Sequence, residues 1–357
     1  MARALALASR GLGRTWPNPA VGCVLVKDGV IIGRGWTQPG GRPHAERRAL
    51  AEAGDLARGA TAYVTLEPCA HYGKTPPCAL GLIEAGVSRV VSALTDPDPR
   101  VAGRGHAMLR EAGISVTENV LQDQARAQNA GFLKRVTKGL PLVTLKLATT
   151  MDGRIATASG ESRWITGPQA RRYVHMLRLT HDAVMVGSGT ALADDPDLTA
   201  RDIGADHQPL RIVLDRSLAH SPDSRLGRSA RETPVWIIHG PEASAAAIAA
   251  WEATGTRLLC CPTRVGHLDL NAALRILAAE GVTRILSEGG GQIAAALVKA
   301  GLVDEIQQIS AGKLLGGDAR AATGALHLSQ LAAAPLFRLK DHRTLGDDLL
   351  SRWEARA

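Results

Sequence analysis

The chain reads as an α/β protein in two parts, and three observations lead there. Val-, Ile- and Leu-rich runs of strand length alternate with helical stretches along nearly the whole sequence. That alternation restarts near Lys138-Gly139-Leu140-Pro141, and 357 residues suit two domains, expected at 1–139 and 140–357. Apolar residues make up 45% and charged residues 21%, which permits a proper buried core. Aromatics are only 3%, so Ala, Val and Leu must do most of the packing. A βαβ rhythm implies sheets covered by helices, with functional side chains at strand ends and helix starts.

In the first part, residues 21–26, 63–66 and 89–94 are apolar runs of strand length. Between them, Pro43 and Pro77 open helices, as proline does at a first helical turn. Ala49, Leu50 and Ala53 form the inner face of one, and Ala79, Leu80, Leu82 and Ile83 that of the other. In the second part, strands are predicted at 142–147, 183–187, 210–215, 235–239, 284–287 and 305–310, with helices at 243–253 and 293–298. The turn Ser287-Glu288-Gly289-Gly290-Gly291-Gln292 joins the strand at 284–287 to the helix at 293–298. Consecutive glycines let backbone amides approach a phosphate, and the helix start adds a favourable field. Taken alone, the same residues are equally a flexible turn. No G-x-G-x-x-G follows a strand, so an ordinary Rossmann site is unsupported. There is no internal repeat.

A net charge of +8 suits phosphate-bearing partners without separating a nucleotide-like metabolite from a nucleic acid. Lys and Arg are spread without a dense block or interleaved aromatics, so nucleic acid is not the expected partner. Five cysteines, an odd total with Cys260 and Cys261 adjacent, do not form a disulfide framework. No apolar run reaches membrane-span length and no secretory pattern opens the chain. A cytoplasmic protein without a membrane partner is expected.

His44, Glu46, Cys69 and Cys78 carry the most specific signal. They lie in PHAERRAL and TLEPCAHYGKTPPC. Imidazole and thiolate satisfy zinc, and a catalytic site uses three protein ligands so that a fourth position holds water. In zinc deaminases a non-ligand Glu beside that site moves protons, and the signature is H-x-E followed by P-C-x-x-C. His44-Ala45-Glu46 and Pro68-Cys69 fit, but the second thiol comes after eight residues rather than two. Pro76-Pro77 places Cys78 in a first helical turn, where the helix N-terminus should lower its thiol pKa. His and Glu two apart diverge on a regular helix, so both are expected in the first turn after Pro43. The plainer alternative is a core histidine with two buried cysteines.

Longer segments resemble a known family. PNPAVGCVLV, PHAE, AYVTLEPCAHYGKTPPC and DPDPRVAGRG are similar to the deaminase half of the bifunctional riboflavin-biosynthesis deaminase/reductases. LKLATTMDGRIATASGESRWIT, GSGTALADDPDLTAR and SEGGGQIAAAL resemble the reductase half, in the same order. The resemblance implies a cytidine-deaminase-like αβα domain followed by a dihydrofolate-reductase-like α/β domain. It also implies Zn2+ and NADPH as cofactors, a phosphorylated pyrimidine substrate and a homodimer. In that family a diaminopyrimidinone ribosyl phosphate first loses its C2 amino group hydrolytically. The attached ribose is then reduced to an open ribityl chain.

By this resemblance His44, Cys69 and Cys78 hold zinc and Glu46 shuttles protons. Asn18 recognises the ring, and His71 and Lys74 lie in the loop between the cysteines, near the substrate phosphate. Ser162, Arg178, Leu198, Arg201 and Glu288 match substrate-contacting positions, the two arginines offering bidentate geometry to a phosphate. Ala148, Trp164, Thr190, Asp194 and the stretch Gly290, Gly291, Gln292, Ile293, Ala294, Ala295 and Ala296 match positions that hold NADPH. Trp164 is as readily an indole buried for packing. Lys146 and Asp152, in KLATTMDG, fall beside the reacting centre as proton-managing candidates. Ala70 replaces a small polar residue, and Arg216 stands where a small hydroxyl is common. Arg216 either engages the cofactor's 2′-phosphate or is simply exposed. Two rivals remain: a single-activity zinc deaminase of nucleosides or tRNA with an accessory C-terminal domain, and a zinc-stabilised RNA-binding module.

Overall fold

The computed structural model describes residues 1–73, 75–98 and 101–356, which form two compact units, Met1–Leu140 and Pro141–Ala357. Among the described residues no helix is long and apolar enough to cross a membrane.

The first unit runs α1 (Ala2–Ala8), β1 (Gly22–Lys27), β2 (Val30–Trp36), α2 (Ala45–Ala53), β3 (Thr61–Val64), α3 (Cys78–Glu84), β4 (Arg89–Ser92), α4 (Arg104–Glu111), β5 (Ser115–Thr117), α5 (Gln122–Gln128) and α6 (Ala130–Lys138). Its sheet has the order β2-β1-β3-β4-β5. β1 is antiparallel to both neighbours, while β3, β4 and β5 are parallel. The core is small-residue and aliphatic, with Cys23, Leu25, Ala49, Ala62, Val64, Leu82, Val90 and Leu109 fully buried. That composition is what a chain poor in aromatics can assemble. Two glycines of β2 fix the height of α2 above the sheet. A Cβ at Gly33 would lie 2.3 Å from the Ala49 carbonyl oxygen, and one at Gly35 would lie 2.0 Å from that of Ala45. α2 therefore rests directly on bare strand backbone.

The second unit begins with β6 (Leu142–Thr150), β7 (Arg154–Ala156), α7 (Pro168–Leu179), β8 (Ala183–Gly187), α8 (Ser188–Asp194), β9 (Leu210–Leu214), α9 (Arg225–Arg228), β10 (Val235–His239), α10 (Ala245–Ala253) and β11 (Arg257–Cys260). A two-residue ladder, β12 (Thr263–Arg264) with β13 (His267–Leu268), precedes α11 (Leu270–Ala279), β14 (Arg284–Ser287), α12 (Gly291–Lys299) and β15 (Glu305–Ala311). β16 (Arg320–Ala321), β17 (Phe337–Leu345) and β18 (Asp348–Ala355) complete it. Nine strands form one sheet in the order β11-β10-β9-β8-β14-β6-β15-β18-β17. All neighbours are parallel from β11 to β15, and β18 and β17 are antiparallel additions. Ser244 and Asp269 cap α10 and α11 by accepting the Ala247 and Ala272 amides. β14 sits between β8 and β6, so the carboxyl ends of these three strands open on one edge. Ligands of open parallel sheets bind at that edge.

The six strands predicted in the second unit all form, as do those near 21–26, 63–66 and 89–94. β2, β5, β7, β11, β12, β13, β16, β17 and β18 were not anticipated. β2 carries two glycines, β17 is rich in exposed polar residues and β18 mixes polar with apolar residues, so none gives an apolar run.

Candidate active sites

Local backbone explains how two residues so close in sequence as His44 and Glu46 share a cleft. His44 is the N-cap of α2, with extended backbone (φ −68°, ψ 159°), and Glu46 is the second helical residue. The divergence expected on a regular helix is avoided because His44 is not helical. Cys69 follows β3 in a loop, and Cys78 is the first residue of α3 with Pro77 as N-cap. His44 Nδ1 lies 3.7 Å from Cys69 Sγ and 3.3 Å from Cys78 Sγ, and all three donor atoms fall within 4.8 Å of one another. Tetrahedral zinc bonds of about 2.0 Å to nitrogen and 2.3 Å to sulfur separate N from S by about 3.5 Å and S from S by about 3.8 Å. The donor set fits zinc in both chemistry and spacing.

Glu46 is buried and lies within electrostatic reach of His44, Cys69 and Cys78, which sets its carboxyl against the three donors. Burial raises its pKa above the usual carboxylate range. Hydrogen bonds from Cys78 and His44 hold the Cys69 thiol down to about 4 against its burial. The helix start acts here differently from the expectation. The backbone amide of Cys78 donates to Cys69 Sγ at 3.3 Å, so the field of α3 favours the Cys69 thiolate. Cys78 itself is raised, by its hydrogen bond to Cys69 and by burial.

Asn18 Nδ2 donates to the Gly41 carbonyl at 3.3 Å, which holds the Asn18 turn against the segment entering His44. Asn129 supports that turn, its carboxamide pairing with both the amide and the carbonyl of Ala20. His71 lies in the loop between the cysteines, and its buried Nδ1 makes no hydrogen bond among the described residues. Lys74 lies outside the described residues. Sequence reasoning missed Arg42, whose Nη1 donates to Thr75 Oγ1 at 2.6 Å and brings a cation to this loop. Its place immediately before PHAE was the only signal.

In the second unit the register puts Ser287 beside Leu145. Glu288 thereby falls level with Lys146, whose Nζ is 4.0 Å from Oε2. Arg178, near the end of α7, meets the same carboxylate with Nε on Oε1 at 2.6 Å and Nη2 on Oε2 at 3.0 Å. Its Nη1 donates to the Thr199 carbonyl at 2.6 Å. Burial would raise Glu288, but the charge and hydrogen bonds of Arg178 and the charge of Lys146 outweigh it and hold it at about 2. Burial, with Arg178 nearby, pulls Lys146 below its ordinary value against the attraction of Glu288.

The glycine turn ends on α12. The Gly290 amide donates to Thr190 Oγ1 at 3.1 Å, tying the turn to α8. The first-turn amides of Gly291, Gln292 and Ile293 have no partner within the helix, whereas Ala294 already bonds to Gly290. Trp164 is 62% exposed, with the Arg171 guanidinium 4.8 Å over its ring and Lys313 Nζ on its carbonyl at 2.6 Å. Ser162 lies in the same loop between β7 and α7, Ala148 lies on β6 opposite Ile309, and the Asp194 carbonyl accepts from Arg163.

Several expectations change. Arg178 spends its bidentate face on Glu288, whereas Arg201 is exposed and held by Asp197 and Thr199. Leu198 is buried at φ +54°, so only its backbone can face a ligand. Ala294 and Ala295 are buried, and the Ala294 amide already bonds to Gly290, so the amides without a helical partner are those of residues 291–293. The packed-indole alternative for Trp164 is excluded by its exposure. Arg216 is half-exposed, 3.8 Å from Glu242. Asp152 has both carboxylate oxygens occupied by hydrogen bonds. Its Oδ1 accepts from Thr150 Oγ1 at 2.5 Å and its Oδ2 from the Gly316 and Leu315 amides at 2.8 and 3.2 Å. These bonds, Thr150 first, hold it at about 2.

The comparisons agree with this geometry. The family model "Cytidine and deoxycytidylate deaminase zinc-binding region" matches residues 1–94, and "RibD C-terminal domain" matches 141–351. The riboflavin biosynthesis protein RibD of Escherichia coli strain K12 is 47% identical, the alignment spanning 98% of this chain and 96% of that protein. The chain belongs to the RibD family. RibD of Haemophilus influenzae is 45% identical over 98% of this chain and 95% of its own. The structure of Acinetobacter baumannii RibD, form 1, superimposes with a TM-score of 0.89 at 40% identity, covering 100% of this chain and 98% of that one. A diaminohydroxyphosphoribosylaminopyrimidine deaminase/5-amino-6-(5-phosphoribosylamino)uracil reductase from Thermotoga maritima gives 0.87 at 35% identity, covering 100% and 97%. Membership in the RibD family makes the first unit a zinc-binding, cytidine-deaminase-like domain for nucleotide-like small molecules. The second is a reductase domain of the NADPH-dependent type, and the whole is a bifunctional enzyme of riboflavin biosynthesis. A lone deaminase with an accessory domain does not account for that second match.

Proposed function

We propose that the first unit hydrolytically deaminates 2,5-diamino-6-ribosylamino-4(3H)-pyrimidinone 5′-phosphate. The second unit then reduces the ribosyl group of the product, 5-amino-6-(5-phosphoribosylamino)uracil, to ribityl. The observation that carries this reading is the convergence of His44, Cys69 and Cys78 with Glu46 buried against them, in a chain whose second unit is a reductase.

His44 Nδ1 and the two sulfurs hold zinc, which when bound supplies Lewis-acid activation of water. Glu46 takes one proton from the attacking water and delivers it to the ring nitrogen, then takes the remaining hydroxyl proton and delivers it to the amino group, which leaves as ammonia. Asn18 orients the ring, and Arg42, bonded to Thr75 of the inter-cysteine loop, meets the phosphate with His71; Lys74 is assigned to the same phosphate by its place in the sequence alone. In the second unit NADPH, when bound, supplies the reducing equivalents. The first-turn amides of α12 hold its phosphates, with Thr190 fixing the glycine turn and Trp164 flanking the mouth. Ala148, Asp194 and Arg216 supply the remaining cofactor contacts in this reading. Ser162, Arg201 and the Leu198 backbone receive the sugar phosphate. Glu288, oriented by Arg178, engages the ribose hydroxyls and holds Lys146, which manages the proton at the opening ring oxygen. Asp152 serves as a positioning residue that anchors the Leu315–Gly316 turn. We further assign the protein to the cytoplasm as a homodimer; the unpaired edge of β17 beside exposed Leu336 and Leu339 supports the self-association.

The test is incubation with the diaminopyrimidinone ribosyl phosphate, with and without NADPH, following ammonia and nicotinamide absorbance. Ammonia should appear in both, and NADPH should be consumed only after deamination. Ammonia release from cytidine or adenosine instead would sink the reading.

A further inference from the structure

Glu67 is a buried carboxylate two residues before Cys69, and only backbone amides satisfy it in the structure described. Oε2 accepts from the Asp96 and Gly103 amides at 3.1 and 3.0 Å, and Oε1 from those of Gly105 and His106 at 2.8 and 3.3 Å. Three of these belong to the N-cap and first turn of α4, whose amides lack helical partners. Glu67 thus caps α4 from another part of the chain. The contact is close: a Cβ at Gly105 would lie 1.9 Å from the Pro68 carbonyl oxygen. α4 is itself held from behind, because His106 Nε2 bonds Ser92 Oγ at 2.8 Å and His106 Nδ1 lies 3.2 Å from Glu118. On its other side Cys69 is tied by its carbonyl to the Ala79 amide and by its sulfur to the Cys78 amide.

We propose that Glu67 is a positioning residue of the metal centre. Its carboxylate locks the Pro68–Cys69 segment to α4, so that the Cys69 sulfur is presented at a fixed place between His44 and Cys78. Nothing in the proton chemistry of the site requires Glu67. Its part is to remove the freedom of a loop ligand that would otherwise have to be ordered when the ion binds. Preorganisation of this kind slows ligand departure, and losing supporting groups around a metal typically costs about 10–100-fold in affinity.

The proposal rests on the zinc reading, and the experiment separates the two. The full chain is loaded with zinc and its release to excess colorimetric chelator is timed, with the denaturant midpoint of the first unit in the same preparation reporting an intact fold. Glu67→Gln keeps the side-chain shape, but either orientation of its carboxamide sets an NH2 group against two amide donors. Zinc release should be at least about tenfold faster than from the parent chain. Glu67→Asp, which keeps the charge but withdraws it from the amides, should accelerate release to a smaller degree. Leu25→Ala weakens the same core away from the cluster and should leave the release rate unchanged. A parental rate in both Glu67 variants overturns the proposal, as does equal acceleration by Leu25→Ala. A parent chain that takes up no zinc overturns the zinc reading itself.

Discussion

Arg178 and Glu288 form a two-pronged ion pair at 2.6 and 3.0 Å, with both side chains largely withdrawn from solvent and Lys146 on the far carboxylate oxygen. Removing one partner of such a pair strands the other charges. Glu288→Gln should destabilise the second unit by about 3 kcal/mol and cut reductase kcat/KM at least about a hundredfold. Deamination by the same preparation should persist. Because Glu288 is held near 2, its contribution is present above the unfolded carboxyl value and is lost as pH falls through that range toward 2. Urea titration of the reductase transition with parallel rate measurements checks both outcomes.

Glu46 and Cys78 should separate chemistry from metal binding. Glu46→Gln is expected to retain zinc while deamination falls about a thousandfold, within the usual range for a lost proton carrier. Cys78→Ser should lose both. Metal analysis beside an ammonia assay distinguishes them, and an unimpaired Glu46→Gln would remove Glu46 from the mechanism.

Asp152 offers a choice between anchor and acid that two substitutions decide. Asn can still accept from the Leu315 and Gly316 amides and approach Thr150, so Asp152→Asn should keep reductase kcat within about threefold, as loss of a proton carrier would not allow. Asp152→Ala frees the turn and should raise KM for NADPH about tenfold with a smaller change in kcat. Steady-state kinetics on both variants settle the role.

His181 makes the second unit sensitive to mild acid. It is buried, its Nδ1 contacting the Leu177 carbonyl at 2.8 Å and its Nε2 Thr144 Oγ1 at 2.9 Å. Burial, aided by Arg284, pushes its pKa down to about 3. The unfolded chain takes up a proton near 6.5 and the folded one does not, so stability is full above that value and is lost as pH falls toward 3. Between pH 6.5 and 5 the loss is about 2 kcal/mol at about 1.4 kcal/mol per unit. His181→Gln cannot titrate and should flatten this slope, which denaturant midpoints at pH 7, 6 and 5 would reveal.

Much of this architecture is legible in the chain because the parallel strands are apolar on both faces. β8, β9 and β10 are buried throughout and read as largely apolar runs, interrupted by Arg211 in β9 and ended by His239 in β10. β17 fails that test, since it is an edge strand with alternating exposed charge. The metal donors were readable because ligand chemistry restricts residue type and the prolines before His44 and Cys78 announce helix starts. Partner choice was not readable. Nothing in sequence says that Arg178 gives its fork to Glu288, that Asp152 grips a turn 163 residues onward at Leu315, or that Ala294 faces inward. Those follow from register and packing, which residue identities alone do not specify.

The bare stretch of β2 under α2 has a consequence for anyone altering this enzyme. Alanine at Gly33 or Gly35 adds a single methyl group against the backbone of α2, and the helix must rise to admit it. The imidazole that opens α2 would rise too, leaving its sulfur companions behind on a different support. Reach toward the ion is thus set by two side chains that do not exist, on a strand that touches no ligand.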